Sequence, residues 1–188
     1  SMKDDYAGIC GITETELLDD MQDGIAGLAQ ANELTPQQVV AKLKENYDGY
    51  HFSAHSPGVF NPFSLLSSLA NKDFDSYWFA SGTPTYLVNM LQRFNVQPAS
   101  LQRMCAKSSA FDSPTETMKT ITPLLYQSGY ITIKGYDKIS QLYTLDLPNK
   151  EVKVGLFESL LPNYLDGSYA EQGDVAIARM SVLIRQND

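Results

Sequence analysis

The segment from residue 121 to residue 161 constrains the fold of this chain most, because two short alternating runs lie there between two helical patterns. In both runs every second residue is apolar, so each run has one apolar face: Ile131, Ile133, Tyr143, Leu145 and Leu147. A period of two is typical of β-strands. The sequence therefore predicts a β-hairpin, with Gly135-Tyr136-Asp137-Lys138 as its connecting loop.

Helices with clear ends are predicted on both sides of this hairpin. A helix that begins near Pro123 should stop at Gly129, because glycine readily takes the left-handed conformation that follows a helix. Asn149 can cap the next helix by accepting a hydrogen bond from a backbone amide, and Pro162 predicts where that helix ends. Helix, hairpin and helix in this order outline a winged-helix-like module.

Capping patterns also open the helices of the N-terminal half. In Thr13-Glu14-Thr15-Glu16 and Thr35-Pro36-Gln37-Gln38, each threonine can exchange hydrogen bonds with the residue three positions later. These patterns predict helices over about residues 13–31 and 36–46. Asn61-Pro62 and Thr83-Pro84 predict the starts of two more helices. Together with the hairpin, they predict a mainly α fold with a small β-hairpin.

The composition limits the partners that the chain can have. A chain of 188 residues with 43% hydrophobic content can bury a full core. No apolar run approaches the roughly 20 residues that span a bilayer, so we expect a cytoplasmic protein with no membrane partner. The formal charge is −8, which repels phosphate backbones unless a basic patch is concentrated locally.

Sequence signatures of catalysis and metal binding are missing or incomplete. The phosphate-binding pattern Gly-x-x-x-x-Gly-Lys-Ser/Thr does not occur. His51 and His55 are four residues apart with Asp48 nearby, but Pro57 predicts a loop, in which this spacing does not bring the two rings together. Cys10 has acidic neighbours that disfavour a thiolate, so we interpret it as a small buried residue. The sequence thus predicts no catalytic, cofactor-binding or metal-binding residue in this chain.

The winged-helix outline raises a nucleic-acid-binding alternative, in which the helix before the hairpin reads the major groove. That predicted helix, residues 121–128, lacks the Arg, Lys and Asn side chains that make bidentate contacts to guanine and adenine. The candidate phosphate contacts under this alternative are Lys134, Lys138, Lys150 and Lys153. They supply about two or three contacts, too few to overcome an acidic body, so nucleic acid is an unfavoured partner.

Two aromatic-rich segments are candidate interaction surfaces. They contribute Tyr47, Asp48, Tyr50, His51, Phe52, Tyr77 and Trp78. In the first segment, Asp48-Gly49 predicts the left-handed geometry of a tight reversal. Packing between helices explains both segments, and aromatic side chains at loop tips also bind partners. A protein-interaction adaptor with a protein partner is therefore a further alternative, which solvent exposure of Trp78 would favour.

Six short segments carry a resemblance to a known family. They are YAGICGIT (6–13), NYDGYHFS (46–53), VFNPFSLL (59–66), YWFASGTP (77–84), LLYQSGY (124–130) and LPNKEV (147–152). In this order they resemble the AAA-ATPase-like proteins common in gut Bacteroidetes and other anaerobes, over about residues 2–165. In that family a P-loop ATPase core precedes a helical region and a winged-helix-like region, and a restriction-endonuclease-like nuclease domain often follows.

The resemblance implies that this chain is the middle piece of such a protein, without the core or the nuclease domain. Residues 1–95 would form a helical lid-like domain, residues 96–165 a winged-helix-like domain, and residues 166–188 a connector helix toward the missing C-terminal domain. The implied role is non-catalytic coupling, with the rest of its own chain as partner. ATP and Mg²⁺ are expected only in the full-length protein.

Overall fold

The computed structural model describes residues 8–81, 85–96 and 98–164, which form a mainly helical fold with a three-stranded antiparallel sheet. The helices are α1 (Glu14–Asp20), α2 (Gln22–Asn32), α3 (Pro36–Tyr47), α4 (Pro62–Asn71), α5 (Tyr77–Ser81), α6 (Thr85–Arg93), α7 (Ser108–Phe111), α8 (Thr122–Gln127) and α9 (Lys150–Tyr164). The strands are β1 (Met104–Ala106), β2 (Thr132–Asp137) and β3 (Leu142–Asp146), and short 3-10 helices cover Pro98–Leu101 and Thr115–Thr117.

The predicted helix caps are present. The Thr13 hydroxyl accepts the Glu16 amide at 3.2 Å, and the Glu16 carboxylate accepts the Thr13 amide at 2.7 Å. Thr35 and Gln38 repeat this exchange at 3.2 and 2.8 Å. The Asn61 side chain accepts two amides of the first turn of α4, at 3.0 and 3.2 Å. Local sequence therefore fixes these three helix starts. The start predicted at residues 83–84 lies outside the described residues.

The single helix predicted over residues 13–31 is wrong, because the structure interrupts it at Met21, between α1 and α2. Met21 has φ −121° and ψ 26°, outside the helical range. Leu17 in α1 and Ile25 in α2 are both buried. The apolar stripe thus continues across the break, which is why periodicity alone does not reveal it.

The sheet contains one strand more than the predicted hairpin. Its order is β1-β3-β2, so β3 lies in the centre and pairs antiparallel with both neighbours. The strand β1 lies among residues 95–120, where the capping and alternation patterns described above predict no strand. It has three residues, whereas an alternating pattern is recognisable only over roughly four to eight residues.

The hairpin loop also lies further along the chain than predicted. Gly135, Tyr136 and Asp137 belong to β2, and the turn covers residues 138–141. The pairing of β2 with β3 shifts register between Ile133 and Gly135. A bulge of this kind interrupts the alternation that begins at Ile131, so the second half of β2 has the sequence appearance of a loop.

Two apolar clusters form the interior. The first lies among α1 to α4 and is centred on Leu17, Leu28, Val39, Leu43 and Leu65. The second joins α5, α6, α8, the sheet and α9, with Phe79, Leu91, Leu125, Ile133 and Val152 among its buried members. The second cluster therefore takes side chains from both sides of residue 95. The predicted division into domains at that residue stays a prediction.

The C-terminal helix α9 runs past Pro162 to Tyr164, so the end predicted at Pro162 is wrong. A proline removes one amide hydrogen bond, and here the helix continues for a short distance beyond it. The predicted connector helix at residues 166–188 lies outside the described residues. Within the part of the chain that the structure describes, no helix combines the length and the apolar character needed to cross a membrane.

Candidate functional site

Glu151 is a buried carboxyl group in the first turn of α9, with 2% of its surface exposed. One carboxylate oxygen accepts a hydrogen bond from the Trp78 amide at 2.7 Å, and the other accepts one from the Ser64 hydroxyl at 2.7 Å. We call Ser64, Trp78 and Glu151 the Glu151 junction. It joins α4, α5 and α9 at one point inside the protein.

Local sequence explains how each partner reaches the junction. Asn61 caps α4, which places Ser64 in the first turn of that helix. Asn149 accepts an amide of the first turn of α9 at 3.1 Å, which places Glu151 in the same turn. Trp78 lies at the start of α5, where a backbone amide has no acceptor within the helix. The carboxylate supplies that acceptor.

Burial raises the pKa of Glu151 above its ordinary value of 4.5, because the charged form loses its hydration. Hydrogen bonds from Ser64 and from the amides of Trp78 and Phe79 act in the opposite direction by stabilising the charge. Desolvation is the larger effect. Since the donors belong to neighbouring helices, the carboxyl group is arranged as a structural acceptor.

Lys134 makes a second link, on the sheet side of the same region. Its ammonium group donates to the carbonyl of Gly49 at 2.8 Å and to the carbonyl of Pro148 at 2.9 Å. Burial of this ammonium lowers the pKa of Lys134, and the nearby Asp146 and Asp48 act against that shift. Two of its three donors are thus used within the protein, although part of the side chain is exposed.

The turn around Asp48-Gly49 is held against this link and against β2. Gly49 has φ +97°, as the predicted reversal requires, and a Cβ atom there would lie 2.3 Å from the Pro148 carbonyl oxygen. The Thr132 hydroxyl accepts the His51 amide at 2.8 Å and donates to the His51 carbonyl at 2.9 Å. Backbone and side chain therefore both fix this turn to the sheet.

The other predicted surface residues divide between the interior and the surface. Tyr47 is 1% exposed, and its hydroxyl donates to the Asp75 carbonyl at 2.8 Å. The Tyr50 hydroxyl is buried close to Asn61 and Asn149, and it makes no hydrogen bond of standard geometry with the described residues. Burial raises the pKa of both phenols. Tyr77 and Asp48 are half-buried, whereas Phe52 is exposed.

Trp78 and Phe79 pack against Tyr130, which lies just before β2, and Phe79 also packs against α9. The Trp78 and Tyr130 rings are 5.2 Å apart, and Phe79 meets Tyr130 edge-on at 6.0 Å. A Cβ atom on Gly155 would lie 2.3 Å from the Phe79 ring. These two aromatic side chains therefore pack against Tyr130 and α9, and Trp78 is half-buried.

The remaining candidate phosphate contacts lie in different surroundings. Lys138 is exposed in the hairpin turn. Lys150 forms an ion pair with Glu45, and it lines a cleft of about 310 Å³ together with Lys153 and Asp146. Two of the four ammonium groups, those of Lys134 and Lys150, are thus committed to bonds within the protein.

The structure brings together the six segments that carry the family resemblance. Antiparallel bridges join the first and second segments to the third. Glu151 joins the third, fourth and sixth segments, and the packing of Tyr130 against Trp78 adds the fifth. Contacts between their described residues therefore link all six segments, and the Glu151 junction connects three of them directly.

Sequence reasoning missed Ser64, Gly155 and the role of Glu151. An acidic residue in the first turn of a helix is common at the protein surface, so Glu151 carries no distinctive local signal. Ser64 and Trp78 are 87 and 73 residues away from it along the chain. Only the tertiary structure brings these groups together.

No metal site is evident in the described ranges, where no group of three or more His, Cys, Asp or Glu side chains is placed to hold an ion. The Nδ1 atom of His51 lies 2.9 Å from the Ser56 carbonyl oxygen, and His55 is exposed. Cys10 is exposed as well. The expectation that it is buried is wrong, because the turn at residues 8–10 holds it at the surface.

Comparison with known proteins identifies a similar bacterial sequence. A protein of Azotobacter chroococcum mcd 1, described as "Uncharacterized protein in vnfD 5'region", is 31% identical over 162 residues, which cover 85% of this chain. The chain spans 29% of the length of that relative. No protein-family model matches the chain, and no solved structure matches it.

Proposed function

We propose that this chain is the non-catalytic coupling region of a longer AAA-type ATPase-like protein of the cytoplasm. In this proposal residues 1–95 act as a lid-like domain and residues 96–165 as a winged-helix-like domain. They transmit a nucleotide-dependent movement from an ATPase core to a downstream domain. ATP and Mg²⁺ bind to that core, and the chain itself is not an enzyme.

The Glu151 junction is the observation that carries the proposal. Because α4, α5 and α9 share one buried carboxyl group, any displacement of α4 relative to α9 must break or move its hydrogen bonds. A buried donor that loses its acceptor costs about 1–3 kcal/mol. The junction therefore favours concerted displacement of the three helices over independent motion, as transmission of a movement requires.

The order of elements supports the winged-helix part of the proposal. Within residues 96–165, apart from two short 3-10 helices, the chain runs strand, helix, helix, strand, strand and helix, and the first strand pairs with the last strand. This order supports the proposal of a winged-helix-like arrangement. Residues Thr122, Pro123 and Leu125 of α8 are buried, and α8 contains no Arg or Lys. These features favour a packing role over DNA reading.

The greater length of the Azotobacter relative supports the view that chains of this type belong to larger proteins. The sequence resemblance supplies the expected order of the parts. A nucleotide can drive the movement only if it binds the two arrangements with different affinity. The proposal therefore depends on a nucleotide site outside residues 1–188.

The coding sequence upstream of residue 1 gives the first test, because a Gly-Lys-Ser/Thr loop must occur there. The second test compares hydrogen exchange of the α5 and α9 amides in the longer protein with and without ATP. We expect ATP to change exchange in both helices, and to leave the melting temperature of residues 1–188 alone unchanged. The proposal would be overturned if ATP raised the melting temperature of the isolated chain. It would also be overturned if ATP left the hydrogen exchange of α5 and α9 unchanged in the longer protein.

A further inference from the structure

An open apolar groove lies between the α1–α2 arm and the N-terminal half of α3, away from the Glu151 junction. Its volume is about 510 Å³, and its apolar lining comes from Leu18, Ile25 and Ala26 on one side and Pro36 and Val40 on the other. Leu18 is 42% exposed, whereas Ile25 is 5% exposed and forms the floor. Exposed apolar grooves of this kind commonly mark protein-binding sites.

The spacing of the lining residues matches a helix-binding groove. On the α1–α2 side, Leu18, Gln22, Ile25 and Ala26 repeat at three- and four-residue steps, so they follow one face of the arm. The facing residues Pro36, Gln37 and Val40 lie in the first turns of α3. Two roughly parallel rows of side chains leave a trough that the apolar face of a third helix fills.

The surroundings of the groove are acidic. Residues 14–47 contain seven acidic and two basic side chains, a net charge of −5. Asp19 and Asp23 directly follow the lining residues Leu18 and Gln22, so each lies about 100° further around the helix, at the rim. Both carboxylates are exposed.

The two lysines of this region are engaged elsewhere. The Lys44 ammonium lies 2.7 Å from the Glu14 carboxylate, and the Lys42 ammonium lies 5.2 Å from the centre of the Phe74 ring. Neither residue lines the groove. Among the described residues Asp19 and Asp23 form no ion pair, so a cationic partner can neutralise their charge.

We propose that this groove binds a basic amphipathic helix of a partner protein. Apolar side chains of that helix, spaced at i, i+3 or i+4 and i+7, fill the trough between Leu18 and Val40. Lysine or arginine side chains beside them face Asp19 and Asp23. The inference does not depend on the coupling function, because the groove shares no residue with the Glu151 junction.

A synthetic peptide of about 18 residues, five helical turns, provides the probe. Leucines form its apolar stripe and lysines its polar face, and a matched peptide carries glutamate in place of every lysine. Fluorescence anisotropy with the full chain should show the lysine peptide binding at least about tenfold more tightly than the glutamate peptide. Added salt should reduce this difference, since the rim charges are exposed.

Variants locate the binding site. Leu18→Ser and Val40→Ser should each weaken binding of the lysine peptide about tenfold or more, and Asp19→Asn with Asp23→Asn should reduce the preference for lysine over glutamate. Leu66→Ser is the matched control, because Leu66 of α4 is 49% exposed and does not line the groove. Circular dichroism checks that each variant is folded.

Three outcomes of the peptide experiments would overturn the proposal. They are equal binding of the two peptides, binding that is unaffected by Leu18→Ser, and no binding of the lysine peptide to the folded chain. A dimer that dissociates on the Leu18→Ser substitution would also overturn it, because the occupant would then be a second copy of the chain. Light scattering measures this last outcome directly.

Discussion

The α1–α2 arm, with α3 packed against it, and the Glu151 junction differ in how their residues come together. The arm is built from contacts between helices that follow one another closely, and its apolar stripe is visible in the sequence. The junction brings together polar groups that are 73 and 87 residues apart. The arm leaves an apolar trough open to solvent, whereas the junction is closed and satisfies its buried donors.

This difference separates two kinds of role. An open groove has area to offer to a partner, and substitution at its rim is expected to change binding more than folding. A closed junction exposes no surface for a partner, so substitutions there are expected to change the stability of the fold. We expect substitutions near the junction to cost more stability than those in the arm, and four tests follow in order of decreasing effect.

The largest expected effect is that of Glu151→Ala. It removes the acceptor of the Ser64 hydroxyl and leaves the Trp78 amide only its longer bond to the Ser64 hydroxyl oxygen, at 3.3 Å, and we expect the free energy of unfolding to fall by about 3 kcal/mol. Asp23→Ala on the arm removes an exposed carboxylate and should change it by about 0.5 kcal/mol or less. Urea denaturation measures both, and similar losses for the two variants would contradict the structural role of the junction.

Glycine to alanine substitutions should have opposite signs in the two regions. At Gly155 the new methyl group meets the Phe79 ring at 2.3 Å, so we expect a loss of about 2 kcal/mol from overpacking. At Gly27 in α2 the nearest neighbouring atom lies at 3.6 Å, on the flexible side chain of Lys72, and helix propensity should give a gain of up to about 1 kcal/mol. A gain at both positions in thermal denaturation would show that α9 does not pack on Phe79.

Lys134→Met should destabilise the fold by about 1 kcal/mol, because the carbonyls of Gly49 and Pro148 lose their shared donor. Lys138→Met is the matched control in the same hairpin, where the side chain is exposed and little change is expected. Urea midpoints at constant slope give the comparison. If both variants unfold at the wild-type midpoint, the Lys134 link contributes no stability.

The smallest expected effect is a pH dependence. The pKa of Glu151 is raised in the folded state, so protonation of this group favours folding. Its contribution is complete below the unfolded-state pKa near 4.5 and is lost as the pH rises through the folded-state pKa. The free energy of unfolding of the wild type, relative to Glu151→Gln, should therefore decrease as the pH rises above about 4.5. A difference that stays constant or increases over this range would show that the folded-state pKa is not raised.

The parts of the fold that the sequence predicts are those with local causes. Thr13, Thr35, Asn61 and Asn149 cap helices in the structure as their patterns indicate, and Gly49 and Gly129 adopt positive φ angles where the chain leaves a helix or reverses. These features depend on interactions within a few residues. The strand β3 also forms where alternation indicates it.

The incorrect predictions have causes that a local pattern does not contain. The break at Met21 leaves the apolar stripe intact, and the register shift after Ile133 extends β2 through residues with the appearance of a loop. The strand β1 exists because β3 offers it an edge, since three residues alone do not specify a strand. Each of these features depends on a partner that is distant in the sequence.

The sequence by itself determined the helix caps, the apolar faces, the acidic character of the arm and the absence of a phosphate-binding loop within these 188 residues. Only the tertiary structure decided that Glu151 is buried, that Lys134 bonds to two carbonyls and that the groove beside Leu18 stays open. The physical reason is the distance along the chain over which each interaction acts. Capping and periodicity act over a few residues, whereas desolvation and hydrogen bonding between distant segments depend on which surfaces the folded chain brings into contact.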